Sequence, residues 1–124
     1  MAAILESAAS ALDAFGVGTQ VIANNLANIN TDEFQASRTR YGEAPQGQGV
    51  RVEEISRESA PGSPLPPDRV DISAAAAEEA RAASNVRAER EFVDLIATER
   101  AYEANAAVAR TYDDMMGTVL DILV

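Results

Sequence analysis

Few side chains in this sequence could take part in catalysis. The 124 residues include no cysteine and no histidine, so thiolate and imidazole nucleophiles, the usual general bases and the common zinc ligands are missing. Glu99 and Glu103 stand four residues apart with Arg100 between them, a spacing that places both carboxylates on one face of a helix. Because no pocket-forming motif accompanies them, we interpret these three as solvated or inter-subunit charges. The sequence therefore predicts no catalytic residue, no cofactor and no metal site.

The overall charge limits the classes of partner. Twenty Asp and Glu residues outnumber ten Lys and Arg, for a net charge of −10, and such a surface repels phosphate backbones. No apolar run approaches the roughly 18 to 20 residues of a membrane span. The first residues lack a basic region, and Glu6 and Asp13 interrupt the stretch that a secretory signal would keep apolar. We therefore expect no nucleic acid, no membrane insertion and no cleaved signal peptide.

The first part of the chain, residues 1–30, has the pattern of an amphipathic helix. We predict this helix from about Ala3 to Asn28, with weak points at Gly16 and Gly18, each of which costs about 0.8–1 kcal/mol relative to alanine. The pattern consists of apolar or small residues that recur in steps of three and four, as along a heptad seam: Leu5, Ala8, Leu12, Phe15, Thr19, Ile22, Leu26 and Ile29.

The middle part, residues 31–72, changes period. Alternation around Phe34, Ala36 and Arg38, and again around Val50 and Val52, is typical of short strands. Proline and glycine within residues 45–49 and 60–67 prevent a helix there. This part is therefore expected to be turn and loop with a short β-hairpin.

The last part, residues 73–124, reads as a second long helix from Ser73 to about Ile122. Its weakest point is Ser84-Asn85, where side chains compete for backbone hydrogen bonds, and a break or restart there is left open. A continuous helix would be about 70 Å long, whereas a compact domain of this size has a radius of gyration of roughly 14 Å. Two apolar tracks follow it and predict more than one neighbouring helix: Leu95, Tyr102, Ala106, Ala109, Met116, Leu120 and Leu123, and Ala101, Val108, Tyr112, Met115, Val119 and Ile122.

Three asparagines, Asn25, Asn28 and Asn105, lie within or beside these predicted seams. They could face water and cap or fray the helices. Alternatively, they could hydrogen-bond a neighbouring helix and fix its register, as polar seam residues do in coiled coils. Both interpretations stay open from the sequence. The tyrosines at 102 and 112 are interpreted as packing residues.

Two stretches resemble signatures of the flagellar rod, hook and hook-associated protein family. Residues 23–34, ANNLANINTDEF, are similar to the family's A-N-N-[LIV]-A-N helix end followed by a T-x-G-[FY] turn. Residues 92–105, FVDLIATERAYEAN, are similar to its C-terminal signature, and the resemblance continues to Leu123. Glu33 stands where the family usually has glycine, so it is strained if the turn needs a positive φ. The turn motif comprises Asn30, Thr31, Glu33 and Phe34.

The resemblance implies a mainly α fold in which long N- and C-terminal helices pair as a coiled coil, with a short loop and β-hairpin segment between them in the chain. It implies a structural subunit of the flagellar basal body rod, most like a short proximal rod protein, that polymerises into the drive shaft and export channel. Its partners would be itself, other axial subunits and the flagellar type III export apparatus, and its location the periplasmic rod. The expected assembly interface comprises Leu5, Leu12, Phe15, Ile22, Asn25, Leu26, Asn28, Ile29, Leu95, Ile96, Tyr102, Asn105, Val108, Tyr112, Met116, Val119, Leu120 and Leu123.

An alternative function is that of a type III secretion chaperone or adaptor. Such proteins are also small, acidic and helical, and composition alone does not exclude them. The pair of terminal signatures favours the exported axial subunits instead.

Overall fold

The computed structural model describes residues 2–65 and 82–123. In chain order these form helix α1 (Ala2–Ala27), strand β1 (Ser37–Glu43), a short 3-10 turn (Pro45–Gly47), strand β2 (Val50–Arg57) and helix α2 (Ala88–Leu123). The prediction of two long terminal helices around a small hairpin is confirmed. Neither helix combines the length and apolar character needed to cross a membrane.

Helix α1 is continuous through both of its glycines. Its fully buried stripe consists mostly of small residues, which allow neighbouring backbone to approach closely. The helix ends at Ala27, where the Asn28 N–H donates to the carbonyls of Asn24 (3.2 Å) and Asn25 (3.1 Å) in a tightened last turn. The buried stripe comprises Ala8, Ala11, Ala14, Gly18, Ile22 and Asn25.

The hairpin pairs β1 with β2 in antiparallel register from Ser37 opposite Arg57 to Glu43 opposite Val50, with a bulge between Arg40 and Tyr41. The second strand matches its prediction. The first begins at Ser37, later than the alternation from Phe34 suggested. The reason is that the Phe34 carbonyl accepts from the Asn85 N–H (3.2 Å), so this stretch pairs with the segment before α2.

Helix α2 begins at Ala88, so the prediction of a helix from Ser73 is wrong for residues 82–87. The Asn85 carboxamide explains the break. Its Oδ1 accepts from the Ala36 N–H (2.6 Å), and its Nδ2 donates to the carbonyls of Glu58 (2.9 Å) and Ala60 (2.7 Å). These bonds hold the backbone in an extended connection. The predicted helical residues 73–81 lie outside the described part of the chain.

The two helices pack antiparallel, and the hairpin packs against α1. Gly18 lies against Thr98, and Asn25 lies against Glu91. A step of seven residues forward along α1 therefore matches a step of seven residues backward along α2. Helix α2 has 36 residues and α1 has 26. With equal rise on both helices, Ala2 is level with about residue 114. The last turns of α2 therefore extend past the described part of α1.

Candidate assembly site

A buried polar cluster joins the two helices to the hairpin. At its centre is Asn25, which is fully buried. The Asn25 Oδ1 accepts from the Ser37 N–H (2.9 Å), and its Nδ2 donates to the Ser37 carbonyl (2.8 Å) and to Glu91 Oε2 (3.0 Å). The carboxamide thus pairs with the start of β1 as a neighbouring strand would, while it also contacts α2. One side chain therefore positions three elements.

Glu91 brings a carboxylate into this cluster with no exposed surface. Its Oε1 pairs with Arg38 Nη1, while Arg38 Nη2 reaches Glu58 Oε2 at 3.1 Å. Burial by itself lowers the pKa of Arg38, but the hydrogen bond and charge of Glu91, followed by those of Glu58, raise it above its ordinary value. The guanidinium therefore stays charged and bridges α2 to the hairpin.

A second arginine extends the network to the surface. Arg90 Nη1 lies 3.2 Å from Glu58 Oε1, and Arg90 Nε lies 4.0 Å from Asp94 Oδ2. Both residues of the latter pair are about half exposed, so solvent screens that pair and it contributes little. The Arg38 and Glu91 pair matters more, because the Glu91 carboxylate has no exposed surface and would be an uncompensated charge in the interior without Arg38. We name the cluster of Asn25, Arg38, Glu58, Asn85 and Glu91 the junction.

A second contact holds the hairpin to α1 through Tyr41. Its ring packs edge-to-face on Phe15 with centroids 5.2 Å apart. A Cβ at Gly18 would overlap the Tyr41 hydroxyl, so glycine is required there for close approach. Burial raises the pKa of Tyr41, a hydrogen bond with Thr98 lowers it, and the charge of Asp94 raises it, for a net upward shift. The phenol therefore stays neutral and packs between the helices.

The turn after α1 keeps the strained conformation despite its glutamate. Glu33 has φ 61°, the left-handed region that glycine adopts without cost. Its N–H donates to the Ala82 carbonyl at 2.8 Å. A non-glycine residue in this region costs about 1–3 kcal/mol, and the contact with the segment before α2 offsets part of that cost. The expectation that Glu33 is strained if the turn needs a positive φ therefore applies.

Within the part of the chain that the structure describes, two of the three seam asparagines make local contacts only. Asn28 Nδ2 donates to the Asn24 carbonyl (2.9 Å), and its Oδ1 accepts from Thr31 Oγ1 (3.1 Å). Asn105 Nδ2 donates to the carbonyl of Ala101 one turn earlier (2.8 Å). These are the capping and back-bonding roles of asparagine. Asn25 alone of the three bonds to the other helix within the chain.

The residues expected to form the interface do not lie on one surface of the chain. In α1, Ile22 and Asn25 are buried, Leu5 is exposed, and Leu12, Phe15 and Leu26 are half-buried. Asn28 and Ile29 follow the end of α1 and are also half-buried. In α2, four are half-buried, namely Leu95, Asn105, Tyr112 and Met116. The other six are exposed, namely Ile96, Tyr102, Val108, Val119, Leu120 and Leu123. In the turn motif, Phe34 is half-buried, and the exposed members are Asn30, Thr31 and Glu33.

The end of α2, Tyr112 to Leu123, carries a cluster of exposed apolar side chains, including the two most exposed large ones of the described residues, Ile122 and Leu123, and we name it the open end. Met115, Val119 and Leu120 are 45% to 59% exposed, and Ile122 and Leu123 are 77% to 78% exposed. A concavity of about 330 Å³ lies among its apolar side chains and Thr118. Such a surface is unusual on a soluble monomer and marks an interaction site.

Sequence reasoning missed four residues of the junction as site residues: Arg38, Glu58, Asn85 and Glu91. A signal existed for Asn85, because its side chain was expected to compete with the helix backbone. Glu91 gave no signal, since a glutamate in a predicted helix is ordinarily solvated. Glu99 and Glu103 lie on an exposed face of α2. Among the described residues, no group of carboxylates is arranged to hold a metal ion.

Comparison with known proteins relates both terminal segments of the chain to flagellar basal body rod proteins. The family model described as flagella basal body rod protein matches residues 5–35, and that described as flagellar basal body rod FlgEFG protein C-terminal matches residues 80–122. A relative in Borreliella burgdorferi, flagellar basal-body rod protein FlgC, is 32% identical over 143 aligned positions, which cover 94% of this chain and 93% of that protein. The matched segments contain nearly all of α1, the turn, and almost the whole of α2.

Proposed function

The chain belongs to the flagellar basal body rod protein family, and we propose that it assembles through the helix faces that its own fold leaves uncovered. It is a structural subunit of the flagellar basal body rod and acts with other axial subunits. The comparisons give no support to the alternative of a secretion chaperone. The proposal concerns which surfaces make the contacts and how the subunit reaches its place.

The observation that carries the proposal is the exposure of the open end. Its apolar residues recur in steps of three and four at Tyr112, Met115, Val119 and Ile122, the spacing of a helix seam. Within the described chain no α1 residue stands beside the last turns. Burial of this seam is favourable at about 25 cal/mol per Å² of apolar surface. We therefore expect a helix of a neighbouring subunit to pack against it.

Helix α1 supplies a second face. Its small residues are buried within the chain, whereas the larger Leu5, Leu12 and Leu26 stay exposed or half-buried. The heptad seam expected from the sequence is thus only partly covered by the chain itself. We propose that neighbouring subunits complete it, so that each copy contributes one partly covered seam on α1 and one uncovered seam on α2.

The junction gives this assembly a defined geometry. Because Asn25, Arg38 and Glu91 fix the hairpin on the helix pair, every copy presents its two seams at the same mutual angle. A repeating angle is what a heterologous contact needs to generate a regular helical array. We propose that the rod transmits torque through these packed helices and encloses an export channel, and that the protein performs no catalysis.

Export and location belong to the same proposal. The chain resembles axial proteins that leave the cell through the flagellar type III apparatus. We propose export by that apparatus without cleavage and a final position in the periplasmic rod.

Charge substitutions in the two seams test the proposal. Leu26→Asp and Leu120→Asp should each abolish incorporation into purified basal bodies, because a charge within an apolar contact is costly to desolvate. Thr111→Asp is the matched control, since Thr111 is exposed and its hydroxyl donates to the Ala107 carbonyl one turn earlier. Immunoblots of basal bodies from complemented deletion strains give the readout. Normal incorporation of either seam variant would contradict the assembly model.

A further inference from the structure

An apolar patch lies near the beginning of α2, apart from the open end. Phe92, Val93 and Ile96 are 53%, 65% and 52% exposed. At 3.6 residues per turn they share about a third of the helix circumference. They point away from Glu91 and Thr98, which are buried against α1. Three large apolar side chains side by side form a contiguous patch and mark an interaction surface.

The patch has an acidic rim. Glu89, Glu99 and Glu103 are exposed on the same side of the helix, with Arg100 as the one basic residue among them. Glu89 pairs with Arg87 at 3.0 Å. Among the described residues, no ion pair joins Glu99 or Glu103 to a cation. A ligand that covers the apolar centre therefore meets negative charge at the edge.

A second copy of the chain is poorly suited to this surface. Helix α1 carries two acidic residues and no basic one, and α2 carries eight acidic and three basic residues. A helix of another copy laid on the patch would bring like charges together, which costs affinity and slows association. The hairpin is the more basic element, with Arg38, Arg40, Arg51 and Arg57. Arg38 and Arg40 already pair with glutamates of the same chain, and Arg51 and Arg57 stand on a strand, which presents no helical ridge to the patch.

We propose that Phe92, Val93 and Ile96 bind a helix of a different protein, one with an apolar ridge flanked by lysine or arginine. The ridge would cover the apolar centre and the basic flanks would meet Glu99 and Glu103, the usual arrangement of an amphipathic helix on an apolar surface. The inference deepens the proposed function and rests on it, because it names the chemistry of a partner for one helix face. It implies that the subunit sits beside an unlike neighbour at this face.

Two designed peptides test the chemistry on the full-length chain. One is an amphipathic helix of leucine and lysine, and the other has the same leucine pattern with glutamate. Isothermal titration at low salt should give at least about tenfold tighter binding for the lysine peptide. Phe92→Ser/Ile96→Ser should lower that affinity by about tenfold, and Val93→Ser by less. Glu99→Lys/Glu103→Lys should reverse the preference between the peptides. Circular dichroism checks that each variant keeps its helix content.

The control separates a specific site from general attraction to an acidic protein. Glu6→Lys/Asp13→Lys makes the same change of charge on α1, where both residues are exposed, and should leave the affinity within about twofold. Equal losses for both charge variants would overturn the inference. Sedimentation of the chain alone tests the other occupant. If Phe92→Ser/Ile96→Ser abolishes self-association, the patch binds a second copy, and the inference fails while the proposed rod assembly stands.

Discussion

The two ends of α2 reverse the usual distribution of residues between interior and surface. In the junction, Glu91 and Asn25 are fully buried and polar. In the open end, Ile122 and Leu123 are apolar and more than three-quarters exposed. Directional hydrogen bonds and ion pairs suit an intramolecular contact that must hold one orientation. The hydrophobic effect is non-directional, and an apolar surface that is exposed in the isolated chain is suited to a contact with a neighbouring subunit. The contrast indicates which contacts fold the chain and which ones assemble it.

The difference between the junction and the open end also predicts two different effects of mutation, one on stability and one on assembly. A change in the junction leaves buried polar groups without partners, so its cost falls on the free energy of unfolding of the isolated chain. A change in the open end removes a side chain that is already solvated, so its cost falls on assembly. Junction variants should therefore lower the free energy of unfolding of the isolated chain, and open-end variants should lower incorporation into the rod.

The largest expected effect comes from the junction carboxylate. Glu91→Ala should lower the free energy of unfolding by about 3–5 kcal/mol, because Arg38 loses its buried partner and the buried Asn25 Nδ2 loses an acceptor. Leu120→Ala in the open end should change it by less than about 0.5 kcal/mol. Urea denaturation followed by circular dichroism measures both. Glu91→Gln keeps an acceptor for Asn25 and should lose less than the alanine variant. Similar losses for Glu91→Ala and Leu120→Ala would refute the contrast.

A smaller effect is expected where Tyr41 crosses α1. Gly18→Ala should destabilise the chain by about 1–3 kcal/mol, since the new methyl group overlaps the Tyr41 hydroxyl. Tyr41→Phe removes that hydroxyl, so the double variant should recover part of the loss. Gly16→Ala is the matched control, because nothing lies near its Cβ position, and it should stabilise the helix by about 0.8–1 kcal/mol. Thermal melts of the four variants measure these effects, and a stabilised Gly18→Ala would mean that Tyr41 packs elsewhere.

The smallest effect concerns the turn that leads from α1 towards the junction. Glu33→Gly should raise the free energy of unfolding by about 1 kcal/mol, because relief of the left-handed strain exceeds the extra chain entropy of glycine. Asp32→Gly should instead lower stability, since Asp32 has no positive φ to relieve. Paired melting temperatures give the comparison. A less stable Glu33→Gly would show that contacts of the glutamate side chain outweigh its backbone strain.

The sequence was sufficient for α1 and β2 because their signals are local. Heptad steps of three and four gave α1 nearly to the residue, and alternation around Val50 and Val52 gave β2. The start of α2 was predicted too early, because the alanine-rich sequence favours helix while Asn85 bonds residues 25 to 49 positions away. Local propensity contains no information about such partners.

By itself, the sequence determined the mainly α class, the hairpin between the helices and the family signatures, since each rests on residues close together in the chain. Only the tertiary structure decided which face of α1 is buried within the chain, because a heptad seam looks the same whether its partner is the chain's own α2 or a neighbour. It also decided the junction, whose bonds join Asn25 and Arg38 to Glu91 across 66 and 53 positions. The physical reason is that a buried charge is tolerated only where partners converge, and their convergence is a property of the fold.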